Sequence, residues 1–484
     1  RFFRLLGGPS LHFDCLASRS HSYSRMMIRS IYRKLAHPSY DIPFIVLLVV
    51  AEAMLTAIIV LRVPYTEIDW MAYMQEVTTY QGGERDYINI RGGTGPLVYP
   101  AGFLYLYGWF KSLAISGTNG SGGSGVDPLG LDGSTSAEAI KRIQWIFVLL
   151  YLFNSVIVLA LYQTVLQRMR HHQQQQTTQQ PHAVWSWRIA MGLTCLSKRI
   201  HSIFVLRLFN DAPAMILLHL SMFLFACCDS WALGCAVFSL AVSIKMNVLL
   251  FAPGLLLLLL QKNRSIFGTI QHLSICALVQ VILGWPFLST YPISYTKKAF
   301  ELSRVFFFKW TVNWKFLPEE VFISKQLAFL LLACHLGALG VFACKWWKAS
   351  TSQRGESTTR EWLCWKRSNV DNIQLTPEYI IYTMFVANFI GIAFARTLHY
   401  QFYCWYFYSL PMLHLIASSP KNITRTVTTS VIAIAGVEYA FNVFPATKKS
   451  SMILQLSHAC LLTKIFQSEV PSIVVEKQHK KKSQ

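Results

Sequence analysis

Long apolar runs with almost no charge inside them constrain this chain more than any other feature. Phe44–Leu61, Ile146–Leu166 and Val248–Leu260 are the clearest. A bilayer core is spanned by about 20 apolar residues in a helix. Lipid offers the backbone no hydrogen-bond partner, so the segment must satisfy its own N–H and C=O groups. Only 14% of the 484 residues are charged and 53% are hydrophobic, against roughly 25% charged in an ordinary soluble domain. The chain is therefore expected to be an all-α polytopic membrane protein, with one large membrane domain over residues 41–470.

The net charge of +21 (44 Lys and Arg against 23 Asp and Glu) suits two kinds of partner. Nucleic acid is one, but in a membrane protein basic residues collect in cytosolic loops and against anionic lipid. No nucleic acid is expected. The eleven cysteines show no CxxC and no Cys/His metal spacing; they read as small core hydrophobes. Residues 1–40 carry seven Lys and Arg against Asp14 and lack an early apolar stretch, so a cleaved signal peptide is not expected and the first span would serve as signal anchor.

Apolar windows fall at about 42–62, 139–165, 184–200, 213–228, 230–246, 247–261, 266–288, 321–344, 377–395, 402–418, 426–444 and 451–467. With both termini cytosolic, loop 63–138 faces the lumen with eight acids against three bases, and loops 166–183, 261–265, 345–376 and 418–425 face the cytosol and lean basic. Two short patterns agree. Asn119-Gly-Ser is a glycosylation acceptor inside the proposed luminal loop. Lys481 and Lys482, third and fourth from the end of the tail 471–484, have the form of a dilysine signal read by coat proteins for retrieval to the endoplasmic reticulum. The glutamine-rich stretch 171–182 reads as a disordered cytosolic loop. Residues 98–113, interrupted by Pro100 and Gly102, read as a helix lying at the membrane surface.

Two constellations carry chemistry. The first is Tyr65-Thr66-Glu67-Ile68-Asp69-Trp70, just beyond the first span. Glycosyl transfer to a hydroxyl needs a base, and a carboxylate beside apolar walls has its proton affinity raised by desolvation. A surface helix capped by Thr66, with Asp69 at its third position, has the same spacing. The second is basic charge at luminal membrane ends: 199–211, Lys245, the segment 289–320 and 396–401. An ionisable group inside an apolar run is costly and usually functional. Converging Arg and Lys suit a phosphate, although snorkelling of long side chains to the interface accounts for some of them. No tight metal cage is evident, so the site is read as metal-independent, without cofactor.

At these residues the chain resembles the dolichyl-phosphate-mannose-dependent α-1,3-mannosyltransferases of N-glycan assembly, in the GT-C superfamily. The resemblance is carried by TEIDWMAYMQEV (66–77), TGPLVYPAGF (94–103), HSIFVLRLFND (201–211), SLAVSIKMNVLLFAPGLL (239–256), FKWTVNWKFLPE (308–319) and LHYQFYCWYF (398–407), in family order. It implies a GT-C-type fold with about 12 transmembrane helices and a long first luminal loop. The implied reaction is inverting transfer of mannose from dolichyl-phosphate-mannose to a five-mannose dolichol-pyrophosphate oligosaccharide in the lumen. In that reading Asp69 is the base and Glu67 the second choice. Arg207, Lys245, Arg304, Arg396 and His399 would meet donor or acceptor phosphates, and Tyr99 and Trp310, like Trp70 and Trp405, would stack on sugar or anchor the interface. Three other readings remain open at this point, one of them a non-catalytic membrane scaffold in which the luminal acids would be dispensable. Another luminal dolichol-linked mannosyltransferase differs only in acceptor. A lipid-linked sugar transporter or flippase would place charges or helix breaks at mid-membrane in paired halves of the chain, and no internal repeat is visible.

Overall fold

The computed structural model describes residues 34–116, 135–175, 181–301, 307–354, 374–417 and 423–473. Helix α1 (Asp41–Arg62) shows why the chain needs lipid. Its 22 residues reach about 33 Å at 1.5 Å per residue. Ile42, Leu47, Met54, Ile58 and Leu61 on it are exposed, while Asp41, Glu52 and Thr56 are buried. That is the reverse of a soluble helix, and it follows once the outer solvent is hydrocarbon. Each inward polar group then requires a partner. Asp41 is held by Arg170, by Arg188 at 2.8 Å and by Gln163 at 2.9 Å. Glu52 Oε2 lies 2.8 Å from His201 Nε2, and His201 Nδ1 lies 2.8 Å from the Ser197 carbonyl.

Beyond α1 come α2 (Trp70–Gln81), a short hairpin of β1 (Arg91–Gly92) and β2 (Gly95–Pro96), and α3 (Ala101–Ile115). The hairpin is antiparallel, with Arg91 opposite Pro96 and Gly92 opposite Gly95. A Cβ on Gly92 would lie 2.6 Å from the Ala72 carbonyl oxygen, so only glycine lets the hairpin seat on α2. Next follow α4 (Ala137–Gln175), α5 (Pro181–Leu193), a short helix Lys198–His201, a π-helical turn Ser202–Leu206, α6 (Asp211–Ala226) and α7 (Trp231–Ile244). The chain then breaks at Lys245 and continues through 3₁₀ turns into α8 (Ala252–Asn263), α9 (Ile266–Leu288) and α10 (Pro292–Ala299). Helices α11 (Lys325–Arg354), α12 (Pro377–Ala393), α13 (Leu410–Ile416), α14 (Ile423–Asn442) and α15 (Lys448–Gln467) complete the bundle.

Among the described residues six helices are long and apolar enough to cross a membrane: Pro38–Arg62, Ala137–His171, Ala183–Leu206, Met246–Asn263, Ile266–Leu288 and Lys325–Ser352. Shorter apolar helices are Asp211–Ala226, Trp231–Ile244 and Pro377–Ala393. Helix α12 is buried from Glu378 to Ala393, on every side, as expected of a helix that is apolar all round. Outward faces of α9 and α11 expose Leu278, Ile282, Phe329 and Leu336.

The structure departs from the sequence reading in three places. The helix expected to lie at the membrane surface is α3, and Phe103, Leu104, Tyr107 and Phe110 on it are buried against neighbouring helices. Its Gly102 touches Ser243 of α7 directly, so close that a Cβ there has no room. Of the glutamine-rich stretch, residues 171–175 are helical, since α4 runs on to Gln175, and α5 starts at Pro181; residues 176–180 lie outside the described residues. The window 402–418 is not one regular span: it begins as 3₁₀ turns over Tyr400–Trp405 and Phe407–Ser409. Those turns carry aromatic side chains inward.

Candidate active site

Helix α1 ends at Val63 in extended backbone, and Pro64 leads the chain toward α2. Thr66 does not cap α2, and Asp69 is not its third residue. The helix begins at Trp70, whose side chain is fully buried and donates through Nε1 to Thr135 Oγ1 at 3.0 Å. Glu67 supplies the cap instead, accepting from the Met71 N–H at 3.0 Å, while its second oxygen accepts from the Tyr65 hydroxyl at 2.7 Å. Asp69 stands at the N-cap position yet makes no capping bond. Its Oδ2 lies 3.4 Å from the Tyr73 hydroxyl, one turn along. Of the two acids, Glu67 is committed to local structure and Asp69 is not.

A network of residues distant in sequence extends from that hydroxyl. Asn210 and Asp211, where α6 begins, are fully buried. Tyr73 Oη lies 3.3 Å from Asn210 Oδ1. Lys245 sits at the break after α7, where its own backbone is extended (φ −152°). Its Nζ donates to Asn210 Oδ1 at 2.9 Å and pairs with Asp211 Oδ2 at 2.7 Å. Asp211 Oδ1 accepts from Trp405 Nε1 at 2.6 Å. The ammonium lies 5.5 Å from the ring centre of Tyr99, 5.7 Å from Phe402 and 5.8 Å from Trp405, so aromatic faces and one carboxylate balance its charge.

Asp69 is only partly buried by its neighbours, whereas Asp211 is fully buried. Burial pushes its carboxyl above the usual range. Lys245 pulls it back down, and Asp211 pushes it up again. The Tyr65 hydroxyl is raised too, first by burial and then by Glu67. A carboxylate with raised proton affinity, held beside a hydroxyl and a buried ion pair, is arranged to accept a proton.

The remaining sequence candidates divide. Tyr99 is in the cluster, edge-on to Tyr73 at 6.0 Å. His399 stacks on Phe402 at 5.3 Å, next to the rings around Lys245. Arg207 lies four residues before Asp211, close enough to Arg199 for its charge to act there. Among the described residues its buried Nε has no hydrogen-bond partner. Arg396 donates to the Ile323 carbonyl at 2.9 Å, a structural tie. Trp310 is stacked on Phe444 at 6.2 Å, with Lys309 over its ring, and is exposed. Arg304, Asn119, Lys481 and Lys482 fall outside the described residues. A cavity of about 590 Å³ opens beside Glu67, lined by Arg62, Tyr65, Met71, Lys141 and Gln144.

Sequence reasoning did not single out Tyr73, Asn210 or Asp211. For Asp211 a signal existed, because an acid at the head of an apolar run is as unusual as Lys245 within one. Nothing in its spacing marked Tyr73.

The fold and the site define a polytopic helical membrane protein with acidic, basic and aromatic side chains gathered where helix ends and breaks converge. Residues 46–451 match the family model described as ALG3 protein. Relatives carry the name Dol-P-Man:Man(5)GlcNAc(2)-PP-Dol alpha-1,3-mannosyltransferase. That of Arabidopsis thaliana is 44% identical over 94% of each chain. The Mus musculus protein is 42% identical over 90% of this chain and 89% of its own, and the Homo sapiens protein 41% over 93% and 92%. The chain belongs to the ALG3 protein family.

Proposed function

We propose that this protein transfers mannose from dolichyl-phosphate-mannose to a five-mannose dolichol-pyrophosphate oligosaccharide, forming an α-1,3 bond. The activity is that of the named relatives. What supports it in the chain itself is Asp69, a partly buried carboxylate with raised proton affinity beside the Tyr73–Asn210–Lys245 network. In the reaction the acceptor O3 attacks C1 of the donor mannose and the C1–O bond to phosphate breaks. The hydroxyl proton passes to Asp69, and dolichyl phosphate leaves on the opposite face. One displacement turns a β-linked donor into an α-linked product. Tyr73 and Lys245 orient the site, and Arg207, close enough to Arg199 for its charge to act there, is placed to meet phosphate charge. Presenting the membranes with labelled donor and the five-mannose acceptor, then determining the linkage of the product, tests this reading. A six-mannose product with a new α-1,3 bond is the expected result, and a different linkage or acceptor would refute it.

The site faces the lumen of the endoplasmic reticulum in this reading, with both termini cytosolic and Lys481 and Lys482 available to coat proteins. The basic lean of the opposite loops supports that orientation. Asn119 is then expected to gain a glycan, seen as an endoglycosidase-sensitive mobility shift. A glycan on Asn263 or Asn422 instead would reverse the orientation.

A further inference from the structure

We infer that Tyr107 is a positioning residue for the transfer: it holds the strained turn that delivers Asn210 and Asp211 to the base. The inference rests on the proposed role of Asp69. The turn starts as the π-helical segment Ser202–Leu206, a form rare in proteins and frequent at functional sites. Two residues later Leu208 adopts φ +52°, the left-handed region. Leucine has no side-chain polar atom to offset that conformation, and such a residue persists only where its surroundings over-determine it.

Those surroundings come from far away in sequence. The Tyr107 hydroxyl donates to the Leu208 carbonyl at 2.9 Å. Gln144 Nε2 donates to the Val205 carbonyl at 2.8 Å, and the Thr66 N–H to the Leu206 carbonyl at 3.3 Å. Of these three, the Tyr107 bond falls on the strained residue itself. It is fully buried, so it meets no substrate. Its ring lies edge-on to Tyr73 at 4.8 Å and 5.9 Å from Trp70. One side chain thus grips both the helix that follows Asp69 and the peptide two residues before Asn210. Tyr73 Oη bridges the same two parts. If the Leu208 peptide relaxes, Asn210 moves, and with it the acceptor shared by Lys245 and Tyr73.

Tyr107→Phe keeps the ring and removes only the bond to Leu208. In the full-length, detergent-purified protein, kcat is expected to fall about tenfold to a hundredfold, the cost of a small misplacement at a reacting centre. KM for the donor is expected to stay within about twofold of wild type, and the melting temperature nearly constant. A merely structural role would lower melting temperature and yield while kcat per folded molecule stayed normal. In an Asp69→Asn background, Tyr107→Phe is expected to reduce the residual rate little further, since the two act through one unit. Unchanged kcat in Tyr107→Phe would overturn the inference, as would losses that multiply fully in the double variant. Normal transfer by Asp69→Asn alone would instead remove the base assignment, and the kcat and KM of Tyr107→Phe in the wild-type background would then decide the positioning role unaided.

Discussion

Transfer by Asp69→Asn membranes falls about 10²- to 10⁴-fold, the usual contribution of a positioned general base. Asparagine has the same shape and still offers Tyr73 an acceptor, so the chain should accumulate normally. Glu67→Gln is expected to lose much less, because Glu67 works as a helix cap and as acceptor for Tyr65. The pH–rate profile adds an independent check. A base acts only when ionised, so kcat falls as pH drops through its folded-state value. Burial raises the Asp69 carboxyl, which places this acid limb above the value of about 3.9 for a free aspartate. In Asp69→Asn the limb should vanish from whatever activity remains. Normal transfer at unchanged protein level, or an acid limb that persists in the variant, would show that another group takes the proton.

The second large effect concerns stability. Lys245→Met leaves the Asp211 carboxylate buried without its ammonium, and removing one partner of such a pair costs about 3–5 kcal/mol. Both side chains are nearly inaccessible, at 5% and 0%, so water can make up little of the loss. Combining Lys245→Met with Asp211→Asn removes both charges together and is expected to recover most of the stability. Thermal unfolding in detergent separates the cases, and a single variant as stable as wild type would show that the pair is not needed to hold the fold. The double variant should still transfer slowly, because Asn210 has lost the donor that holds it against Tyr73. Lys245 also pulls the Asp69 carboxyl down. In Lys245→Met alone, where Asp211 keeps its charge, the acid limb of any residual activity therefore moves to higher pH.

Much of the architecture was legible in the chain alone. Lipid and backbone hydrogen bonding admit few solutions, so the apolar runs name their helices: 42–62 is α1, 266–288 is α9 and 451–467 lies within α15. A run of 22 residues with inward acids reports its own solvent. Asp69 emerged from family resemblance, not from spacing, and spacing misplaced the helix cap. Thr66 looked like the better capping residue, but the chain leaving Pro64 brings Glu67 onto the Met71 N–H.

The sequence determined that the chain is a helical membrane protein, because composition and run length act locally and lipid leaves the backbone little choice. It determined which charges stand in unfavourable surroundings, Lys245 among them. Only the tertiary structure decided how those charges are answered. Lys245 meets Asp211, and Asp211 meets Trp405, 194 residues away in sequence. Tyr73, beside Asp69, meets Asn210 across 137 residues. Such pairings depend on which helix ends come together in space, and neither period nor composition carries that information. Asp69 was left free of capping, partly buried and raised in proton affinity by the same long-range packing that closed around Lys245.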